Sequence, residues 1–241
     1  MRTKGPNTDA NNPDAGASGH DAPGPDAPGP DAEAPGAYSS PACYLGEFEG
    51  PGVDARMKSW DEIRSWRKQT REALIASRMA LGVGVRQEKG ERAKQRLLEL
   101  VDLKKYATLG IYWPMRGEID VRDIARKHVE AGGAVALPVV VEKGAPVEFW
   151  NWRPGMRMRR GVWNIPIPPE REVLTPEALI VPLVGFDGNL YRLGYGGGYY
   201  DRTLAAATRR PFCVGFGFAE ARLASIFPQP HDVPMDVIVV D

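Results

Sequence analysis

Leu179-Ile-Val-Pro-Leu-Val184, then the turn Gly185-Phe-Asp-Gly-Asn189, then Arg192-Leu-Gly-Tyr-Gly-Gly-Gly-Tyr-Tyr-Asp201: this stretch decides the fold. An apolar run of that length, closed by turn formers, reads as a strand buried on both faces. The glycines then open onto a helical run at 199–208. Strand, turn and glycine-rich helix entry together make one unit of an α/β sheet.

Working outward, the same rhythm recurs. Thr108–Trp113, Ala134–Val140, Val147–Trp150, Phe212–Phe218 and Val237–Val240 read as further strands. Helical patterns are expected at 120–131 and 219–226. Upstream, Ser59 with Glu62 forms a capping-box pattern. Ile63, Trp66, Thr70, Leu74 and Ser77 follow at helical spacing to about Leu81, and a second helix at 86–103 turns Ala93, Leu97, Leu98 and Val101 inward. Residues 153–170 break the rhythm with prolines but carry Trp152, Met156, Met158 and Trp163 at or beside them. So much apolar mass implies an ordered loop lying on a core edge or a flat ligand.

Composition sets the limits. The 241 residues suit one sizeable domain with an appendage, and 43% are apolar. Residues 1–36 hold seven prolines, the tandem pentad DAPGP at 21–30, and no Val, Ile, Leu, Phe, Trp or Tyr. That segment cannot bury enough surface to offset ordering and reads as a disordered tail. Residues 37–58 read as an extended arm, leaving 59–241 as the folded domain. The net charge of zero gives no reason to expect nucleic acid or a membrane surface, although 1–36 carries six acids against two bases and leaves the rest mildly basic. No apolar run has membrane-spanning length, and no obligate protein partner is evident. Cys43 and Cys213 form neither a disulfide framework nor a zinc site, and a cytoplasmic setting is expected.

Glycines between a strand and a helix let successive amides converge, and the helix N-terminus behind them favours phosphate. The alternative is a glycine turn that merely packs a helix closely on the sheet. A P-loop needs Gly-Lys-Ser/Thr, and the dinucleotide fingerprint needs a third glycine where Tyr199 stands, so neither motif applies. Arg192 could add a bidentate contact. Asp201, in the first helical turn, either complements the helix dipole or holds magnesium; Asp236, before the last strand, is a second such acid. Arg67 and Arg71 share a helix face and are either solvated or turned toward a triphosphate. Glu118 follows Trp113-Pro-Met-Arg-Gly at a strand's C-terminal end, where it either caps the next helix or binds a heterocycle's N–H groups. His20, His128 and His231 show no triad or metal spacing, neither thiol neighbours a base, and covalent catalysis is unsupported.

Taken together, these residues resemble the 5-formyltetrahydrofolate cyclo-ligase (methenyltetrahydrofolate synthetase) family. The resemblance rests on RLGYGGGYYD at 192–201, VPLVGFD at 181–187, YWPMRGEID at 112–120, GVWNIPIP at 161–168 and HDVPMD at 231–236, and runs from about Arg67 to Asp241. It implies a three-layer α/β sandwich of the NagB/RpiA/CoA-transferase type, with ATP as co-substrate, Mg2+ as cofactor and reduced folate as substrate. It places Arg67, Arg71, Arg192, Leu193, Gly194, Tyr195, Gly196, Gly197, Gly198, Tyr199 and Tyr200 on ATP, with Arg192 and Tyr199 also at the reacting group. It puts Trp113, Glu118 and Trp163 on folate and Asp201 and Asp236 on magnesium. Tyr195 and Gly197 stand where some members have basic residues, which predicts a less positive cradle. A paralogue acting on another formyl or acyl group, and a folate-binding protein without catalysis, are the competing readings.

Overall fold

Alternating apolar runs and amphipathic helices produce a seven-stranded main sheet and two small hairpins in the computed structural model, which describes residues 59–241. The readings of 1–36 as a tail and 37–58 as an arm lie outside the described residues. The helices are α1 (Trp60–Ala80), α2 (Val83–Leu100), α3 (Arg122–Glu130) and α4 (Tyr199–Ala206). The strands in chain order are β1 (Thr108–Gly110), β2 (Ala134–Val139), β3 (Glu148–Trp152), β4 (Arg159–Arg160), β5 (Pro166–Ile167), β6 (Val173–Leu174), β7 (Ala178–Pro182), β8 (Gly185–Phe186), β9 (Arg192–Leu193), β10 (Phe212–Gly217) and β11 (Val237–Val240). The main sheet runs β11-β10-β7-β1-β2-β3-β6, parallel from β11 to β2, with β3 and β6 antiparallel at one edge.

Alternation along the strands separates two cores. Ala178 and Ile180 of β7 pack with Ala93 and Leu97 of α2 and Ile124 of α3. Leu179 and Val181 turn to the other face, where Leu204 of α4 and Cys213 join them. Helices thus cover both faces, giving the three-layer α/β architecture. α1 takes a third position. Its Trp66 and Leu74 pack on Val184, Leu193, Leu223 and Ile226, over the small β8–β9 hairpin beyond the end of β7.

The start of α1 follows the sequence signal closely. Ser59 Oγ accepts from the Glu62 N–H, and the Glu62 carboxylate accepts from the Ser59 N–H. Three expectations fail for identifiable reasons. The expected helix at 219–226 is a single 3-10 turn over Ala219–Ala221, because the Leu223 and Ile226 amides bond to Phe186 and Asp187 instead of to a helix. Leu98 is half exposed, since α2 shows the sheet only the narrow stripe Gly90, Ala93 and Leu97. On α1 the buried face carries Arg67 and Arg78, while Ser77 is exposed. Buried partners for these arginines decide the site.

Candidate functional site

The site lies at the C-terminal edge of the parallel strands, where ligands of such sheets gather. β9 delivers the chain to Gly194, and α4 departs at Tyr199. Between them Gly196 has φ +91° and Gly198, the N-cap of α4, has φ +65°, values that only glycine adopts without strain. Among the described residues the amides of Gly196, Gly197 and Gly198 have no hydrogen-bond partner. Unmet donors at the start of a helix form an anion-attracting concavity.

Cations reach this loop from both flanking helices. Arg71 of α1 donates through Nε to the Gly194 carbonyl at 2.7 Å, and its guanidinium lies against Gly196. Partial burial, then repulsion from Arg67, lowers its pKa, although Asp232 opposes that. Arg202 of α4 donates to the Gly197 carbonyl at 2.6 Å and stands 5.0 Å over the Tyr199 ring. Positive charge thus stands beside the loop from α4, a placement that the glycine segment alone could not reveal.

Arg192 behaves differently from the sequence expectation. Its side chain is 5% exposed, donates to Asp201 Oδ1 at 3.3 Å and stacks 5.2 Å from the Tyr200 ring. It lies beneath the loop as a counter-charge. Arg67 is equally committed: it donates to the Ile226 carbonyl at 3.0 Å and to Asp232 Oδ2 at 2.5 Å. Its guanidinium fastens α1 to the C-terminal loop and leaves little to offer a ligand.

The two acids assigned to magnesium also part company. Asp201 Oδ1 accepts from Arg192 and from the Val233 N–H, while among the described residues no hydrogen-bond partner engages Oδ2. Asp236 accepts from Arg210 at 2.9 Å through Oδ1 and from the Cys213 N–H at 2.7 Å through Oδ2. Magnesium commonly takes one or two carboxylates beside substrate phosphates. Asp201 fits that demand with its open oxygen; Asp236 fits it only by surrendering a bond that holds β10. Among the described residues no three His, Cys, Asp or Glu side chains gather as a metal site.

Glu118 sits opposite the loop. The Met115 N–H donates to one carboxylate oxygen at 2.9 Å and the Tyr195 hydroxyl to the other at 2.6 Å. Burial raises its pKa, and these two hydrogen bonds with Arg78 and Arg116 oppose the rise. Arg78 was not singled out by sequence reading. Its signal was its position eleven residues after Arg67, three helical turns along the same face. Trp163, 64% exposed at the tip of the β4–β5 hairpin, meets Tyr199 edge to face at 5.5 Å. Trp113 is not brought to this group. It lines a separate cleft of about 550 Å³ with Trp152, Met156 and Met158, under the Arg122 guanidinium. Cys213 is buried, and burial, then Asp236, pushes its thiol up to about 12, which leaves it unreactive near neutrality.

At the strand edge of this α/β fold a glycine loop with unmet amides is thus flanked by arginines and tied through Tyr195 to a desolvated carboxylate. Comparison with known proteins makes this specific. The model of the 5-formyltetrahydrofolate cyclo-ligase family matches residues 63–241, and the chain belongs to that family. It is 35% identical over 133 residues to the 5-formyltetrahydrofolate cyclo-ligase of Escherichia coli (strain K12), covering 53% of this chain and 73% of that one. It is 25% identical over 175 residues to the Mycoplasma pneumoniae enzyme of the same name, covering 71% and 96%. Among solved structures, the Aquifex aeolicus 5,10-methenyltetrahydrofolate synthetase aligns with TM-score 0.63 and 26% identity over 72% of this chain and 88% of that one. The Mycoplasma pneumoniae 5,10-methenyltetrahydrofolate synthetase shares the fold with TM-score 0.60 at 23% identity, over 73% and 98%. Among the described residues no helix is long and apolar enough to cross a membrane.

Proposed function

We propose that this enzyme converts 5-formyltetrahydrofolate to 5,10-methenyltetrahydrofolate with ATP as co-substrate, releasing ADP and phosphate. The observation that carries the reading is the 2.6 Å hydrogen bond from Tyr195, within the glycine loop, to Glu118. It sets a place for phosphate and a carboxylate suited to ring N–H donors side by side, as a reaction joining ATP to a reduced pterin requires.

The formyl oxygen on N5 attacks the γ-phosphorus of ATP, ADP leaves, and an N5-iminium phosphate results. N10 then adds to the former formyl carbon and loses its proton. That addition closes the five-membered ring, and cleavage of the C–O bond then releases phosphate. A formyl amide is a poor electrophile, and phosphorylation converts its oxygen into a leaving group. The protein contributes position and charge, since phosphoryl transfer needs little covalent help from side chains.

Under this reading the Gly196–Gly198 amides, Arg71 and Arg202 hold the phosphates and disperse the charge that develops between them. Arg192 holds Asp201 and Tyr200 under the loop, in a supporting role instead of the contact first expected. Glu118 accepts the N–H edge of the ring, and Trp163 with Tyr199 walls the ring from water. Asp201 would hold magnesium, which when bound neutralises phosphate charge; Asp236 acts on the fold. Two cysteines in the sequence, too few for a disulfide framework, suit a reducing, cytoplasmic setting.

Purified protein mixed with Mg-ATP and 5-formyltetrahydrofolate should develop the methenyl absorbance in step with ADP and phosphate. Turnover of a different formyl compound, with none of this one, would assign the chain to a paralogous activity. Tight folate binding without ADP formation would make it a sequestering protein.

A further inference from the structure

Tyr195 interrupts the glycine run, and its side chain leaves the phosphate cradle altogether. Its hydroxyl accepts from Arg78 Nη2 at 2.9 Å and donates to Glu118 Oε1 at 2.6 Å. A phenol has one proton, so donation from the guanidinium directs that proton toward the carboxylate. Arg78 is itself fixed, donating to the Arg116 carbonyl at 3.0 Å and the Leu183 carbonyl at 3.3 Å. It is 8% exposed and cannot swing away to solvent without breaking both bonds. The chain Arg78, Tyr195, Glu118 thus links α1, the glycine loop and the turn after β1.

We propose that Tyr195 and Arg78 are positioning residues for the pterin-binding carboxylate, acting on ring recognition and not on the phosphates. The proposal rests on the folate reading above. Each Glu118 oxygen already holds one protein donor, the Tyr195 hydroxyl on Oε1 and the Met115 N–H on Oε2. A lone pair remains on each, both aimed by those donors, which matches a ring presenting an amino group beside a ring N–H. A leucine or phenylalanine at 195 would strip Oε1 of its donor and leave the carboxylate held at Oε2 alone.

The arrangement also predicts a pH signature. Glu118 is faced by Arg78 of α1, Tyr195 of the loop, Tyr200 of α4, and Tyr112 and Arg116 of its own connection, with Asp120 beside Tyr112. Arg86 of α2 lies against Gly117. Only the ionised carboxylate accepts two ring donors, so folate binding falls as pH drops through the Glu118 pKa. The Tyr195 hydrogen bond favours the ionised form. Its loss moves the acid limb of kcat/KM to higher pH.

The test compares wild type, Tyr195→Phe, Arg78→Met and Arg78→Lys by kcat/KM for 5-formyltetrahydrofolate from about pH 5 to 9, at saturating ATP, with the KM for ATP measured separately. Tyr195→Phe should raise the KM for folate about tenfold and move the acid limb up about one pH unit, with the KM for ATP within about twofold. Arg78→Met should act in the same direction, and Arg78→Lys should recover most of the loss. An unmoved acid limb in Tyr195→Phe overturns the proposal. So does a rise in the KM for ATP in place of that for folate, which would put Tyr195 in the cradle. Thermal melts identify any variant that fails to fold. Wild type that binds folate without turnover would sink the proposed reaction, while folate affinity against pH in the same variants still decides this inference.

Discussion

The glycine loop at 194–198 and the C-terminal loop at 231–236 both concentrate groups suited to ions, and they use them in opposite ways. In the C-terminal loop Asp232 accepts from Arg67 and from the Gln229 N–H, and Asp236 accepts from Arg210 and the Cys213 N–H. Its carboxylates are met by the protein itself. In the glycine loop the amides of Gly196, Gly197 and Gly198 point at nothing, with Arg71 and Arg202 beside them. A loop that satisfies its own charges fastens elements together; one that leaves donors unmet at a helix start is open to an anion. The same residue types are paired within the protein in one place and left unmet in the other, and the difference lies in who stands opposite.

The largest expected effect tests the fastening half. In the Arg67–Asp232 pair the side chains are 11% and 9% exposed. Asp232→Ala should cost about 3–5 kcal/mol, because it strands a buried guanidinium whose partner is gone. Urea unfolding measures the loss. Arg67→Met combined with Asp232→Leu should restore much of it, since no unpaired charge remains. A single variant of full stability with a greatly raised KM for ATP would break the comparison by making Arg67 a ligand group.

The receiving half predicts a kinetic loss with little change in stability. Arg71→Met removes a half-buried cation whose Nε alone serves the fold. The KM for ATP should rise roughly ten- to a hundredfold, the range for a charge-assisted hydrogen bond, while the urea midpoint moves little. An equal loss of stability and ATP affinity would reduce Arg71 to another fastener.

The layers of the fold were legible in the sequence because each strand is a short apolar run and each helix carries a period. β11 begins and ends where the pattern Val237–Val240 says it should. The 219–226 segment was misread because its helical pattern competes with the β8–β9 hairpin for the same amides, a tertiary choice invisible in local propensity. The bend of the glycine loop was legible at its glycines, whose conformational demand is local. Roles of the charged residues were less so. Arg192, Arg67 and Asp236 have the right chemistry for ATP and magnesium, but charge in a sequence does not show its partner. Arg78 and Arg202 were passed over for the converse reason: they sit on helices as ordinary surface cations would, and only the fold turns them toward the loop.

The smallest effect sharpens the contrast at a single atom. Gly196 has φ +91°, and a Cβ there would stand 3.1 Å from Arg71 Cζ. Gly196→Ala should therefore cost about 1 kcal/mol of stability through backbone strain. It should also push the guanidinium aside and raise the KM for ATP several-fold, with the KM for folate unchanged. The contact involves Arg71 and neither partner of the Tyr195 bond to Glu118, so a shift in the acid limb of the folate profile is not expected. Paired kinetics on Gly196→Ala and Gly196→Ala/Arg71→Met separate the two costs. If the alanine acts through Arg71, its effect on ATP affinity disappears in the Arg71→Met background while its stability cost persists.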